Sequence, residues 1–143
     1  MIVVDTTILV YAIGDAHELR DPCRRLISAV GEGRIEATTT VEVIQELVHV
    51  RARRRSRADA VAQGRSYATL LSPLVCPTAD DLGEGLALFE AHGALGAFDA
   101  VLAAVAIARG ADALVSADTA FGSVPGLRAV TPGSEELAAI LEN

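Results

Sequence analysis

The chain has 143 residues, half of them apolar and 3% aromatic, with a formal charge of −7 at neutral pH. This length predicts a single domain, 1–143, with a sizeable core. The acidic balance argues against a general nucleic-acid binder, unless clustered acids are neutralised by cations. All twelve basic residues are arginine, so mechanisms that require a lysine are excluded. The longest uncharged apolar stretch is too short to cross a bilayer, and no signal-peptide pattern opens the sequence. We therefore expect a cytoplasmic protein.

In the first half of the chain, short apolar segments alternate with helical ones. Residues 2–4 predict a buried strand, and residues 7–13 predict one or two helical turns. Asp21 before Pro22 predicts the N-cap of a helix that runs to Ala29. Residues 34–39 are typical of a strand, and the threonines at its end offer an N-cap for a helix that runs into an arginine-rich stretch.

The second half continues the alternation. Seven segments are predicted: a helix at 57–71, a short strand at 74–76, a helix from Thr78 to His92, an apolar helix at 96–110, strands at 113–118 and 128–132, and a final helix at 134–141. Short apolar strands alternating with helices indicate an α/β domain with a mainly parallel sheet. In that architecture the working site lies beyond the carboxyl ends of the strands.

Four acidic residues fit such a site. Asp5 directly follows the first strand and Asp118 follows the strand that begins at 113, so both are expected at the same edge of the sheet. Asp99 opens the apolar helix, where the helix dipole stabilises a negative charge. On the wheel of the third helix Glu46 borders the apolar stripe, whereas Glu42 points outward and is expected to be solvated.

Converging carboxylates without lysine are costly unless cations accompany them. Hard divalent ions suit all-oxygen sites, and Mg²⁺ takes only one or two carboxylates directly. The hydroxyls of Thr6, Thr7 and Ser116 are candidates to support the acids, although each could equally cap a helix or end a strand. Phe98, next to Asp99, is expected in the core.

Four sequence blocks span nearly the whole chain in a fixed order: VVDTTILVYA, TTTVEVIQELVHV, GAFDAVLAAVAIARGADALVSAD and DTAF. Their combination resembles the PIN-domain ribonucleases, and among these the VapC-type toxins of type II toxin–antitoxin pairs. The resemblance implies a three-layer α/β/α fold with four to five short, mainly parallel strands. It also implies an endoribonuclease that uses one or two Mg²⁺ or Mn²⁺ ions to hydrolyse RNA.

The same resemblance assigns roles to the acids. Asp5 and Asp99 become the principal metal ligands, and Glu46 and Asp118 complete the catalytic quartet. The family implies a homodimer and an antitoxin whose C-terminal segment enters the site. One departure is visible: the family commonly has Asn where this chain has Thr7, so we expect a changed set of hydrogen bonds around Asp5.

The stretch RARRRSR has three interpretations: a solvated helix end, a patch that follows RNA phosphates, or a contact for the antitoxin. Its candidate RNA contacts are Arg51, Arg53, Arg54, Arg55 and Arg57.

Other functions remain open at this stage. A receiver domain or an aspartyl-phosphate phosphatase would also place an acid after the first strand, but both usually need a lysine. The stronger alternative is a PIN fold that binds RNA or protein without turnover.

Overall fold

The computed structural model describes residues 1–142. Four short strands form its sheet: β1 (Ile2–Val4), β2 (Ala37–Thr38), β3 (Ala113–Val115) and β4 (Ala129–Val130). Seven α-helices surround them: α1 (Thr6–Ile13), α2 (Arg20–Gly31), α3 (Val41–Arg54), α4 (Arg57–Leu70), α5 (Ala79–Ala91), α6 (Ala97–Ala108) and α7 (Glu135–Glu142). A 3₁₀ helix, Thr119–Ser123, separates β3 from β4.

The sheet has the order β2-β1-β3-β4, and all its neighbouring strands are parallel. β1 and β3 occupy its centre, and every residue of both is buried, as expected for a sheet covered on both faces. The predicted three-layer α/β/α fold with a parallel sheet is confirmed. Because the strands are parallel, the segments after β1 and β3 leave the sheet at the same edge.

Most predicted helices are present, with differences at their ends. The predicted cap at Asp21 is wrong: α2 already begins at Arg20, with Leu19 at the N-cap and no side-chain cap. Asp21 and Pro22 lie in the first turn instead, where a missing backbone N–H costs nothing and a negative charge is favourable.

Four predicted strands are shorter than expected. The strand predicted at 113–118 is limited to Ala113–Val115, and the one predicted at 128–132 to Ala129–Val130. The segment 34–39 keeps only the two residues of β2. The predicted strand at 74–76 is reduced to an isolated bridge between Val75 and Thr40. The prolines on either side of it cannot donate to a strand ladder, which limits its length.

Helices α5 and α6 form a closely packed hairpin beside the sheet. A Cβ at Gly85 would lie 2.7 Å from Val101 Cγ2 and 2.8 Å from Val101 Cα, so this crossing requires glycine. Half of α6 is buried, in its middle, whereas both ends are exposed, and Phe98 in its first turn is 79% exposed. The prediction that Phe98 belongs to the core is therefore wrong. Across residues 1–142, no helix is both long and apolar enough for a membrane span.

Candidate active site

Asp5 is held at the edge of the sheet by both its backbone and its carboxylate. Its N–H donates to the Val115 carbonyl of β3, and its side chain caps α1. The carboxylate oxygen Oδ2 accepts from Thr7 Oγ1 at 2.6 Å and from Ser116 Oγ at 2.7 Å. Asp5 is 3% exposed, so these hydroxyl donors compensate much of the cost of burying it.

Glu46 extends from α3 towards the same edge. Its Oε2 accepts a hydrogen bond from the buried hydroxyl of Thr6, at 2.6 Å. Thr40 begins the helix, because its hydroxyl accepts from the Val43 N–H. The N-cap of α1 and the second turn of α3 thus bring the carboxylates of Asp5 and Glu46 to a common cavity.

Asp118 follows β3 and caps the 3₁₀ helix, where its Oδ1 accepts from the Ala120 N–H at 2.8 Å. Its own N–H donates to Ser116 Oγ, so one hydroxyl connects Asp5 and Asp118. Thr7 Oγ1 extends this network by accepting from the Ala117 N–H. The three hydroxyls predicted to support the acids therefore do contact them, with Thr6 on Glu46, and with Thr7 and Ser116 on Asp5.

Asp99 differs from the other three acids. Among the described residues, no hydrogen-bond donor reaches its carboxylate. Burial is the main cause that raises the pKa of Asp99, and the charges of Asp5, Asp118 and Glu46 raise it further, to about 6. The structure therefore brings the four acids within electrostatic range of one another. Among residues 1–142, no arginine or histidine forms an ion pair with any of them.

A preformed metal cluster is absent: within residues 1–142, no three His, Cys, Asp or Glu side chains are arranged to hold a metal ion. The donor set nevertheless fits a hard divalent cation, because all its donors are oxygens and Mg²⁺ fills most of its coordination shell with water. Uncompensated charge around Asp99 also favours a cation. Asp5 and Asp99 are the residues best placed to hold it, because both are partly or fully buried and line one cavity.

Two residues of this cavity were not predicted from the sequence. Glu42 is half-buried rather than solvated, and its Oε2 is buried without a hydrogen-bond partner. Phe98, expected in the core, lines the cavity as well. Its position next to Asp99 in a first helical turn was the available signal, because a residue at a helix start beside a site seldom lies over the core.

The arginine-rich stretch divides into two groups. Arg51 turns inward, where Nε donates to Asp59 Oδ2 at 2.5 Å and Nη1 donates to the Ile13 carbonyl. Its side chain is only 14% exposed, so it holds α3 against α4 and α1 and does not face solvent as an RNA contact would. Arg55 pairs with the exposed Asp15. The remaining arginines, Arg53, Arg54 and Arg57, are exposed and make no ion pair within residues 1–142.

Comparison with known families identifies the fold. The PIN domain family matches residues 2–127 of this chain. The chain belongs to the PIN-domain family. The resemblance seen in the four sequence blocks is thereby confirmed.

Individual PIN-domain relatives are also similar over nearly their whole length. Ribonuclease VapC7 of Mycobacterium tuberculosis H37Rv is 53% identical over 142 residues, which cover 99% of this chain and 98% of the relative. Ribonuclease VapC23 of the same species is 30% identical over 125 residues, covering 86% of this chain and 97% of VapC23.

Solved structures share the PIN fold at lower identity. The crystal structure of VapBC2 from Rickettsia felis, bound to a DNA fragment from its promoter, contains a chain with a TM-score of 0.71 and 22% identity, covering 92% of this chain and 98% of its own. A toxin–antitoxin complex from Klebsiella pneumoniae contains another, with a TM-score of 0.66, 18% identity and the same coverage. At these identities the likeness concerns the fold alone.

Proposed function

We propose that this PIN-domain protein is a divalent-metal-dependent endoribonuclease and the toxin of a toxin–antitoxin pair. The 53% identity to a protein named Ribonuclease VapC7 supports RNA cleavage. The observation that carries the metal-dependent mechanism is Asp99, whose pKa is raised to about 6 by burial and by three neighbouring carboxylates. Perturbed acids gathered in a cleft are typical of catalytic sites.

In the proposed mechanism, Asp5 and Asp99 hold one or two Mg²⁺ or Mn²⁺ ions, and Glu46 and Asp118 complete the site. Such an ion would ease deprotonation of the attacking water and stabilise charge that develops on the phosphoryl oxygens. The Thr7 and Ser116 hydroxyls fix the Asp5 carboxylate, and Thr6 fixes that of Glu46. No such donor among residues 1–142 reaches Asp99, so a cation would be the first group to compensate its charge.

The proposed partners are RNA as substrate, a second copy of the chain, and a cognate antitoxin. The structural relatives that come from toxin–antitoxin complexes support the antitoxin. The homodimer rests on the resemblance to the VapC-type toxins.

The test compares RNA cleavage by wild type, Asp5→Asn and Asp99→Asn, each purified free of antitoxin, with Mg²⁺ or Mn²⁺ and with a chelator. We expect cleavage to require the metal and to fall by about a hundredfold or more in each variant, because each removes charge from the proposed site. Asp21→Asn is the matched control, since Asp21 is exposed on α2 and lies outside the cavity.

Cleavage that continues in Asp5→Asn or Asp99→Asn at the wild-type rate would refute the four-acid mechanism. Metal-independent RNA binding with no cleavage by the wild type would instead indicate a binding module.

A further inference from the structure

The cavity beside the four acids is larger than a metal site requires. Its volume is about 510 Å³, within the range of pockets that enclose a small organic ligand. Three of these acids, Asp5, Glu46 and Asp99, occupy one part of its wall. The rest is mainly apolar, and its large side chains are Leu82 and Leu86 of α5 with Phe98, Val101 and Leu102 of α6. Such a wall suits a flat, neutral group.

Phe98 offers that group an aromatic face. Its side chain is 79% exposed, far more than the other exposed apolar residues of the described chain. It lines the same cavity as Asp5, Glu46 and Asp99, so a group bound on its ring would share the cavity with these three acids. Unstacked RNA bases are commonly held on aromatic side chains in this way.

Glu42 offers the same cavity a hydrogen-bond acceptor. Its Oε2 is buried, and no donor among residues 1–142 reaches it. A carboxylate left in this state costs free energy unless a ligand brings N–H or O–H donors. Because an ionised carboxylate can only accept hydrogen bonds, Glu42 selects for a ligand edge made of donors.

We propose that this cavity binds an unstacked guanine of the RNA, with Phe98 stacked on the base and the Glu42 carboxylate accepting hydrogen bonds from guanine N1–H and N2–H. Guanine is the one standard base whose pairing edge presents two adjacent N–H donors. Adenine, cytosine and uracil each place an acceptor beside a donor on that edge, and a carboxylate repels the acceptor. The assignment rests on the proposed ribonuclease function and adds a base specificity to it.

Charge favours a base over other parts of RNA as the occupant. The carboxylates of Asp5, Glu42, Glu46 and Asp99 all line the cavity and would repel a phosphate that has no cation. A base is neutral and avoids this repulsion, whereas the phosphate next to it would need the proposed cation to approach the acids. The apolar wall is thus continuous with the proposed phosphate site and differs from it in charge, as the two parts of a nucleotide do.

Binding to short fluorescein-labelled RNA tests this assignment without requiring turnover. Asp5→Asn serves as the background, and the three probes are an oligouridylate, the same oligomer with one guanosine, and the same with one inosine, which lacks the 2-amino group. We expect the guanosine oligomer to bind about tenfold tighter than the inosine oligomer, the usual size of one hydrogen bond to a charged group. The oligouridylate should bind more weakly still.

Three further substitutions in the same background separate the hydrogen bonds to Glu42 from the stacking on Phe98. Glu42→Gln should reduce the difference between guanosine and inosine, because the amide loses the charge and one of the two acceptor oxygens. Phe98→Ala should weaken binding of the guanosine oligomer by about tenfold, and Phe98→Trp should restore it, because stacking is sequence-tolerant but needs a ring. Phe89→Ala and Glu90→Gln are the matched controls: both residues are exposed on α5, neither lines the cavity, and neither change should alter affinity.

Equal affinity for the three oligomers, or unchanged affinity in Phe98→Ala, would overturn the guanine pocket. So would a loss of dimer in Phe98→Ala with RNA affinity intact, which would assign the ring to a second copy of the chain. Failure of the guanine pocket can be distinguished from failure of the proposed ribonuclease function. A wild type that prefers the guanosine oligomer but cleaves no RNA refutes the nuclease alone, whereas cleavage without base preference refutes the pocket alone.

Discussion

Each end of the α5–α6 hairpin carries a carboxylate, but the two carboxylates have opposite surroundings. At one end Asp81, 4% exposed, accepts two hydrogen bonds from the Arg109 guanidinium, from Nη1 at 3.1 Å and from Nη2 at 2.8 Å. It also forms a capping box with Thr78. The Arg109 hydrogen bonds are the main cause that lowers the pKa of Asp81, to about 2, and those from Thr78 contribute.

At the other end, no donor among the described residues reaches Asp99, and the charges of three other acids raise its pKa. Asp81 and Asp99 both lie in the first turn of their helix, so the helix dipole does not explain the difference. The difference lies in the partner, which residues 1–142 supply for Asp81 but not for Asp99. A charge that is paired internally stabilises the fold, whereas a charge left unpaired is kept at a cost and is typical of a functional site.

The largest expected effect comes from breaking the paired end. Arg109→Met removes the guanidinium and leaves Asp81 buried, so the free energy of unfolding should fall by about 1.5–3 kcal/mol, the usual contribution of hydrogen bonds to a charged group. The folded-state pKa of Asp81 is depressed from its ordinary 3.8. Wild-type stability from this pair is therefore present above that value and is lost as the pH falls through about 2. Urea titrations at several pH values measure both effects.

The control for this prediction is Arg34→Met, which removes an ion pair whose two side chains are about half exposed. It should shift the urea midpoint far less. Equal effects of Arg109→Met and Arg34→Met would mean that burial does not distinguish the two pairs.

Removing the charge of Asp99 should stabilise the fold, whereas removing that of Arg109 should destabilise it. In a chelator, Asp99→Asn should raise the free energy of unfolding by about 1–2 kcal/mol near neutral pH, after allowance for partial exposure of the carboxylate. The folded-state pKa of Asp99 is raised from 3.8 to about 6, so the wild type loses stability as the pH rises through this window. The gain should disappear towards the lower end of the window, where Asp99 is protonated in both states.

Urea titrations of wild type and Asp99→Asn across this pH range provide the measurement. Asp21→Asn, an exposed first-turn acid, should show no such gain. A destabilised Asp99→Asn near neutral pH would contradict the view that Asp99 carries uncompensated charge.

The same contrast explains what the sequence could predict. Asp5 and Asp118 were placed correctly because the rule for parallel strands depends only on where each strand ends. Asp99 and Glu46 followed from local helix patterns, and the structure brings both near Asp5. These are properties of single elements and their order, so one sequence is enough to see them.

Residues whose surroundings come from several distant elements were predicted wrongly. Glu42 and Phe98 line a cavity that exists because α3, α5 and α6 meet around it, and no helical wheel contains that information. Arg51 was grouped with its exposed neighbours, although Asp59 of α4 and the Ile13 carbonyl of α1 draw it inward. A local sequence pattern does not show which distant residue a side chain will contact.

A divalent cation bound at Asp99 should give this carboxylate the positive partner that Arg109 gives Asp81, and should therefore stabilise the fold. At roughly ten times its Kd, an ion bound only to the folded state stabilises it by about 1.4 kcal/mol. We expect Mg²⁺ or Mn²⁺ to raise the Tm of the wild type and to have little effect on Asp99→Asn. Calorimetry with and without chelator measures this shift, and Arg109→Met serves as the control, because it should keep the metal response. A metal response retained in Asp99→Asn would place the ion elsewhere.

The smallest expected effect concerns the arginines, which also divide into residues with and without an ion-pair partner. Arg53, Arg54 and Arg57 are the unpaired members of the RARRRSR stretch and are free to follow RNA phosphates. Replacing all three with Gln should weaken RNA binding and reduce the slope of log affinity against log salt by up to about 2, at roughly 0.7 per phosphate contact. The charge-matched control replaces Arg25, Arg65 and Arg128, which are exposed on other parts of the surface. If both triple variants lower the slope equally, the stretch adds only net charge. If the Arg53, Arg54 and Arg57 variant alone lowers it, the arginines that the fold leaves unpaired are the ones that contact the substrate, as the unpaired acids are proposed to do.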